Sequence, residues 1–344
     1  MKTNKLIAAV ALILAVSCGN AKKNAKGAAD VPAAETAVSQ DGPASVVYFT
    51  KEITPESLVK IYKAVGREAT GKVAVKISTG EMGGNNYLKP ALIEPLLQEV
   101  NGRLVECNTA YAGSRMETAD HRKTIEAHGF KDVDIMDEEG EIKIPVKDDK
   151  WIKYDIVGSH IQNYDFMINL AHFKGHAMGG FGGVLKNASI GVASSDGKVN
   201  IHSAGQVEEA NPEGDLHAPE GWFESPEKNT PFIESMAAAA QAVHDYFKAK
   251  NGIVYIDVMN NISIDCDCDG NPHAPTIQDI GIAASLDPVA LDKFCLDQVM
   301  NLPNDENNDT KALIDRINQR HGVRIVYRAE ENGMGSTKYK VVEL

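Results

Sequence analysis

Twelve consecutive residues, His172 to Gly183, read H-F-K-G-H-A-M-G-G-F-G-G and gather two histidines, a lysine and five glycines. Glycine lets a backbone approach a ligand closely, because no Cβ intervenes. Imidazoles ligate metals or move protons, and an ammonium group attracts anions. A short helix is expected directly after, over Val184 to Ile190, and the N-terminus of a helix suits an anion. Lys174, Gly179, Gly180, Gly182 and Gly183 are therefore candidate anion-binding residues. His172 and His176 are candidate metal ligands, and His176 and Lys174 are candidate acid–base groups. The two histidines are four residues apart and would share a face on a helix, but glycine density argues against one there.

A second concentration is Asp265-Cys266-Asp267-Cys268-Asp269-Gly270. Cys266 and Cys268 could bind a soft metal together with a histidine. D-x-D-x-D-G also resembles the opening of a calcium loop, but Thr276 stands where that loop needs its bidentate Glu. The third reading is an acidic turn with two inert thiols. Two further clusters carry polar side chains. Lys76-Ile77-Ser78-Thr79-Gly80-Glu81 offers Lys76, Ser78 and Thr79 to an anion, with Lys76 also a candidate catalytic group. Cys107-Asn108-Thr109 is the other. His202, in I-H-S-A-G, follows a short apolar stretch and is a further anion-site candidate. Cys295 sits on an apolar stripe and reads as core; Cys107 reads as core or rim. No Walker loop, G-x-S-x-G elbow or H-E-x-x-H is present.

These clusters need a scaffold. Strands are expected at Ser45–Phe49, Lys72–Ile77, Leu104–Cys107, Val133–Met136, Phe166–Ala171, Ile253–Val258, Ile277–Ala284 and Arg324–Tyr327. A hairpin is expected from Glu141–Val146 and Trp151–Ile156. Helices are expected at Pro55–Val65 with Thr54 as cap, Pro90–Val100, Thr118–His128, Pro231–Lys250, after the Asp287 cap and its Pro288, and at Lys311–Arg320. Residues 207–230 read as irregular. The alternation predicts an α/β fold, Rossmann-like, with a largely parallel sheet, flanking helices and room for two similar lobes. In such sheets ligands bind at the carboxyl ends of the strands. All four polar clusters follow strands, so one shared cleft is expected.

The chain has 344 residues and a formal charge of −13. From residue 46 onward it holds 30 basic and 45 acidic residues, which argues against a nucleic-acid partner. The start of the chain reads as an address. Lys2 and Lys5 precede an apolar run of eleven, Leu6 to Val16, too short to span a bilayer as a helix. Small residues then precede Cys18. Residues 1–18 are expected to be a lipoprotein signal with Cys18 the lipidated residue, residues 19–45 a flexible tether, and residues 46–344 the folded domain. This places the protein in a bacterial cell envelope, facing the periplasm, with the bilayer as a partner through Cys18.

Several segments carry a family likeness. V-K-I-S-T-G-E-M-G-G-N-N-Y-L-K-P (75–90), V-E-C-N-T-A-Y-A-G-S-R (105–115), H-F-K-G-H-A-M-G-G-F-G-G-V-L-K-N (172–187), I-H-S-A-G (201–205) and D-C-D-C-D-G (265–270) resemble the domain of unknown function 362 family. Its members are often labelled uncharacterised iron–sulfur centre proteins, so the resemblance implies an iron–sulfur electron carrier. Many relatives carry a ferredoxin-like insert with C-x-x-C-x-x-C spacing. Here the residues after Gly205 run Q-V-E-E-A-N-P-E-G-D-L-H, and four cysteines remain outside Cys18. A standard four-cysteine cluster has no support in that spacing. The residues favour a divalent metal or a small anion as ligand, bound by an enzyme or by a binding lipoprotein without turnover.

Overall fold

A computed structural model describes residues 44–344. The expected lipid-attachment residue Cys18 and residues 19–43 of the expected tether lie outside the described residues. Ser45, the last residue of that tether, already belongs to the first strand.

The chain runs β1 (Ser45–Thr50), α1 (Pro55–Ala64), β2 (Val73–Lys76), α2 (Pro90–Val100), β3 (Gly102–Glu106), α3 (Thr118–Ala127), β4 (Asp134–Ile135), β5 (Glu141–Pro145) and β6 (Tyr154–Gly158). A 3-10 turn (Ser159–Asn163) leads to β7 (Phe166–His172), β8 (Lys174–His176), β9 (Gly180–Gly182), α4 (Val184–Ala188), α5 (Ser195–His202) and α6 (Pro226–Lys248). Then come β10 (Gly252–Met259), β11 (Gly281–Ser285), α7 (Pro288–Asn301), α8 (Thr310–Gln319), α9 (Arg324–Glu331) and β12 (Tyr339–Glu343). Eight strands form one sheet in the order β12-β1-β11-β10-β7-β2-β3-β4. Every pairing is parallel except the two made by β11. The described residues cluster as one compact unit, so the two-lobed alternative is not what forms. Among them no helix is long and apolar enough to cross a membrane.

Strand alternation divides the core. Val73 and Val75 point to one face with Leu58, Ile61, Ile93 and Leu96 of α1 and α2. Ala74 points to the other, where α4, α6, α7 and α9 pack. A period of two residues puts successive side chains on opposite faces, and both faces are covered, as a parallel sheet requires. The alanines Ala237 to Ala240 of α6 are all buried.

Helix starts follow local chemistry. Thr54 accepts the Ser57 N–H in a capping box ahead of Pro55, and Asp287 accepts the Ala290 N–H ahead of Pro288. One element differs in type. Arg324–Tyr327, expected as a strand for its β-branched residues, lies in α9. Ile325, Val326 and Ala329 are buried on one helical face, while Arg324 pairs with Glu234 and Glu331. Tertiary packing outweighs local β preference there. The long helix begins at Pro226 rather than Pro231, because Ser225 caps it. α5 and β12 were not expected.

The order of the sheet fixes where a cleft forms. From β2 the chain moves outward to β3 and β4, then returns to place β7 on the other side of β2. Strand order reverses between β2 and β7, and ligand crevices form at that kind of switch point.

Candidate functional site

A cavity of about 400 Å³ opens at the carboxyl ends of β2, β3 and β7. Lys76 ends β2, Glu106 ends β3 and His172 ends β7. The glycine-rich segment supplies a wall, but not as a loop. Lys174–His176 and Gly180–Gly182 pair as a two-stranded hairpin.

Some of the expected residues reach the cavity and some do not. Lys76, Ser78, His172, Lys174, His176, Gly183, His202, Cys266 and Cys268 line it. Thr79 does not; it is buried and both its N–H and its hydroxyl donate to Glu106. Gly180 lies against Ile317 and Gly322, and Gly179 lies beside the His176 ring. Gly182 faces the Lys174 and Lys186 stems. The anion role expected of these four gives way to packing and support. Nor is the N-terminus of α4 open to a ligand. Asp292 accepts the Val184 and Leu185 N–H groups at 2.8 and 3.0 Å, so the chain's own carboxylate fills the place an anion would take.

The histidines separate by hydrogen bonding. His172 Nδ1 lies 3.0 Å from Asp267, and its Nε2–H donates to the Asn260 carbonyl at 2.6 Å. Both nitrogens face oxygen, which leaves none for a metal and removes His172 from the expected ligand set. His176 Nδ1 accepts the Gly179 N–H at 2.8 Å and the Met178 N–H at 3.3 Å. Burial, with Lys186, His202 and Lys174 nearby, holds its pKa well below the usual range. The neutral ring therefore carries its proton on Nε2. His202 is the reverse case. Its Nδ1–H donates to the Lys198 carbonyl at 2.6 Å, and burial is the main reason its pKa falls to about 4. Nε2 of His202 then carries no proton to donate, so the ring does not hold an anion as expected.

The Asp265–Gly270 segment forms a tight turn, with the Asp269 N–H donating to the Cys266 carbonyl at 3.0 Å. Asp267 is buried between His172 and Lys174, whose ammonium is 2.9 Å away. Burial alone would raise the Asp267 carboxyl, but these two neighbours hold it well below the ordinary range. Lys174 is thereby neutralised. One donor atom each from His176, Cys266 and Cys268 lies within 4.8 Å of the other two. Lys186 Nζ is 3.6 Å from Cys266 Sγ. A hydrogen bond from Cys268, opposed by burial and helped by Lys186 and Lys174, lowers the Cys266 pKa, while Cys268 is raised. Cys107 lines the cavity but stays a thiol, pushed up by burial and donating to the Val192 carbonyl. Cys295 is fully buried, as expected. Two cysteines and one histidine do not make the donor set of a four-thiolate cluster.

Other residues at the site were not singled out from the sequence. Arg115 is buried between Glu106 at 2.7 Å and Glu81 at 3.3 Å. Lys186 and Lys198 both line the cavity. Lys198 donates to the Ala193 carbonyl, and Lys76 donates to the Ile77 carbonyl and, at 3.2 Å, to Asn187 Oδ1. Unlike Arg115 and Lys174, none of Lys76, Lys186 and Lys198 has a carboxylate at ion-pair distance among the described residues. Burial, partly offset by Glu106, brings the Lys76 pKa down to about 8. Lys198 is lowered too, again mainly by burial. The polar pair Lys186-Asn187 inside the otherwise apolar start of α4 was the available sequence signal.

A family model described as a domain of unknown function, DUF362, matches residues 73–297. No curated protein matches the chain. Two solved structures are similar in part. A protein from Thermotoga maritima is 12% identical, with a TM-score of 0.38 over 67% of this chain and 53% of the other. The lactate racemase apoprotein from Thermoanaerobacterium thermosaccharolyticum is 14% identical, with a TM-score of 0.40 over 73% of this chain and 56% of the other. The chain thus spans about half the length of each.

Proposed function

Because the chain belongs to the domain of unknown function 362 family, whose name assigns no reaction, we propose its function from the cleft: it binds a small anionic substrate and moves a proton on it. The observation that carries this reading is the convergence of Lys76, Lys186 and Lys198 on one cavity without carboxylate partners. Charges held out of water are destabilising unless compensated. Lys76 and Lys198 are buried, Lys186 is partly so, and the three from β2, α4 and α5 make a site completed by an anion. Lys76, whose pKa of about 8 lies near neutrality, is the group among them that can take or give the proton. A lipid anchor at Cys18 and a periplasmic setting belong to the same proposal, supported by Lys2, Lys5 and the Leu6–Val16 run.

Thermal unfolding in phosphate, sulfate and small mono- and dicarboxylates tests the reading. At least one of these anions should raise the melting temperature in a concentration-dependent way, and Lys198→Met should abolish that rise. An unchanged melting temperature with every anion overturns it.

A second reading is favoured by the approach of His176, Cys266 and Cys268: a soft divalent metal held by these three donors. A metal-bound histidine usually donates its other nitrogen's proton, and His176 Nδ1 accepts instead. Metal analysis of the purified protein decides it. Stoichiometric zinc lost in Cys266→Ser would establish the metal reading.

A further inference from the structure

Cys266 and Cys268 are two thiols in one turn, and nothing in the anion reading uses them. The Asp269 N–H to Cys266 carbonyl hydrogen bond closes the turn that carries both. Each lines the cavity, so both sulfurs face the ligand space. Their sulfurs lie within 4.8 Å of each other. A disulfide between residues two apart is strained and therefore readily reduced again.

The turn is also held from outside. The Asp267 carboxylate is pinned by His172 and by Lys174, and its carbonyl accepts the Glu81 N–H at 2.7 Å. The residue between the cysteines is thus held through its carboxylate and its carbonyl, which fixes the backbone of the turn while the two thiol side chains rotate. Lys186 lies 3.6 Å from Cys266 Sγ and makes no such contact with Cys268, so it favours negative charge most directly on Cys266. The pair is therefore asymmetric: one attacking sulfur and one resolving sulfur.

We infer that Cys266 and Cys268 are a redox-active dithiol that reduces a low-molecular-weight disulfide carrying anionic groups. The substrate class rests on the proposed anion-binding role of the lysines. Cys266 sulfur, as its thiolate, attacks one sulfur of the disulfide R–S–S–R. A bond forms between Cys266 and that sulfur, the R–S–S–R bond breaks, and one RS⁻ leaves and takes up a proton. Cys268 then loses its proton and attacks Cys266 Sγ. The Cys266–Cys268 disulfide forms, the mixed disulfide breaks, and the second RS⁻ leaves and is protonated. Two protein thiols are oxidised and one disulfide is reduced to two thiols.

The test treats the full chain, reduced and freed of reductant, with 3,3′-dithiodipropionate, an anionic alkyl disulfide, and with neutral bis(2-hydroxyethyl) disulfide, whose leaving thiols are of similar acidity. The wild-type segment that holds Cys266 and Cys268 should end about 2 Da lighter, with the link mapped by digestion and mass spectrometry. Cys268→Ser should stop at a mixed disulfide on Cys266. Cys266→Ser should react at Cys268 about tenfold slower or less. The inference is overturned if no Cys266–Cys268 link forms. It is overturned equally if Cys268 reacts first, or if both thiols react only after a chelator removes a metal. Failure of the anion reading looks different: the link forms, but the anionic probe reacts no faster than the neutral one in wild type, and Lys198→Met leaves that comparison unchanged.

Discussion

The ammonium of Lys174 lies 2.9 Å from the carboxylate of Asp267, and both groups are buried at the back of the cleft. They are 93 residues apart in the chain. The contact ties the glycine-rich hairpin to the turn that carries Cys266 and Cys268, with His172 on the other side of the same carboxylate. Removing the carboxylate leaves Lys174 buried without a partner. Asp267→Asn should cost about 3–5 kcal/mol, the range for breaking a buried pair, read as a fall in the denaturant midpoint. The Asp267 carboxyl is held below its unfolded value, so its contribution is present above pH ~4 and lost as pH falls below it. The variant should therefore show a weaker loss of stability on acidification than wild type.

Lys76 is 1% exposed and has a pKa near 8. An anion binds the charged form, so affinity should be full below about pH 8 and fall as pH rises through it. Titration calorimetry in two buffers of different ionisation enthalpy should show proton uptake on binding near pH 8. Lys76→Met removes a buried charge from the free protein. It should weaken anion binding about tenfold or more while raising the melting temperature of the ligand-free protein, a change on the order of 1–2 kcal/mol.

Asp155 is 1% exposed on β6, and neither carboxylate oxygen has a hydrogen-bond partner. Burial raises its pKa to about 8. The folded state keeps the proton up to that pH, whereas the unfolded chain releases it near 4, so stability falls as pH rises from about 4 to about 8. Asp155→Asn should flatten that decline. The gain should be small at pH 5 and on the order of 2 kcal/mol at pH 8, measured by urea unfolding across the range.

Gly175 sits where a Cβ would meet the Ile264 carbonyl oxygen at 2.0 Å, and its N–H donates to the Ser263 carbonyl at 2.8 Å. The obstacle is backbone, which cannot rotate away. Gly175→Ala should separate the hairpin from residues 263–268, lowering stability by about 2–4 kcal/mol and slowing formation of the Cys266–Cys268 link. Gly140→Ala, a control at a position with no atom within 4 Å of the added carbon, strains only its own backbone and should leave the link unaffected.

Much of the architecture is legible in the sequence. The alternation of Val73–Lys76, Phe166–His172 and Gly252–Met259 with helical segments implies a parallel sheet, because a strand followed by a crossover returns parallel. Thr54, Pro55, Asp287 and Pro288 mark helix starts through their own side chains. The placement of Lys76, Cys107, the glycine-rich segment and the Asp265–Gly270 turn around one cleft follows from each coming after a strand. Arg324–Glu331 misled because Ile325, Val326 and Tyr327 suit a strand by type, and the helix is selected by burial against α6 and by Arg324 with Glu234.

The sequence alone thus determined the sheet apart from its edge strand β12, its carboxyl edge and the residue types delivered there, since these depend on periodicity and caps within a few positions. What each group does at that edge was decided by the tertiary structure. His172 and His176 are four residues apart in a single segment, yet Asp267 and Asn260 occupy both nitrogens of one, while the Gly179 N–H assigns the proton of the other. Asp292, more than a hundred residues from Val184, closes the helix N-terminus that follows the glycines. Lys174 is matched by a carboxylate and Lys76, Lys186 and Lys198 are not. The reason is physical: the state of a buried polar group is set by the partners within about 4 Å of it, and here those partners come from distant segments.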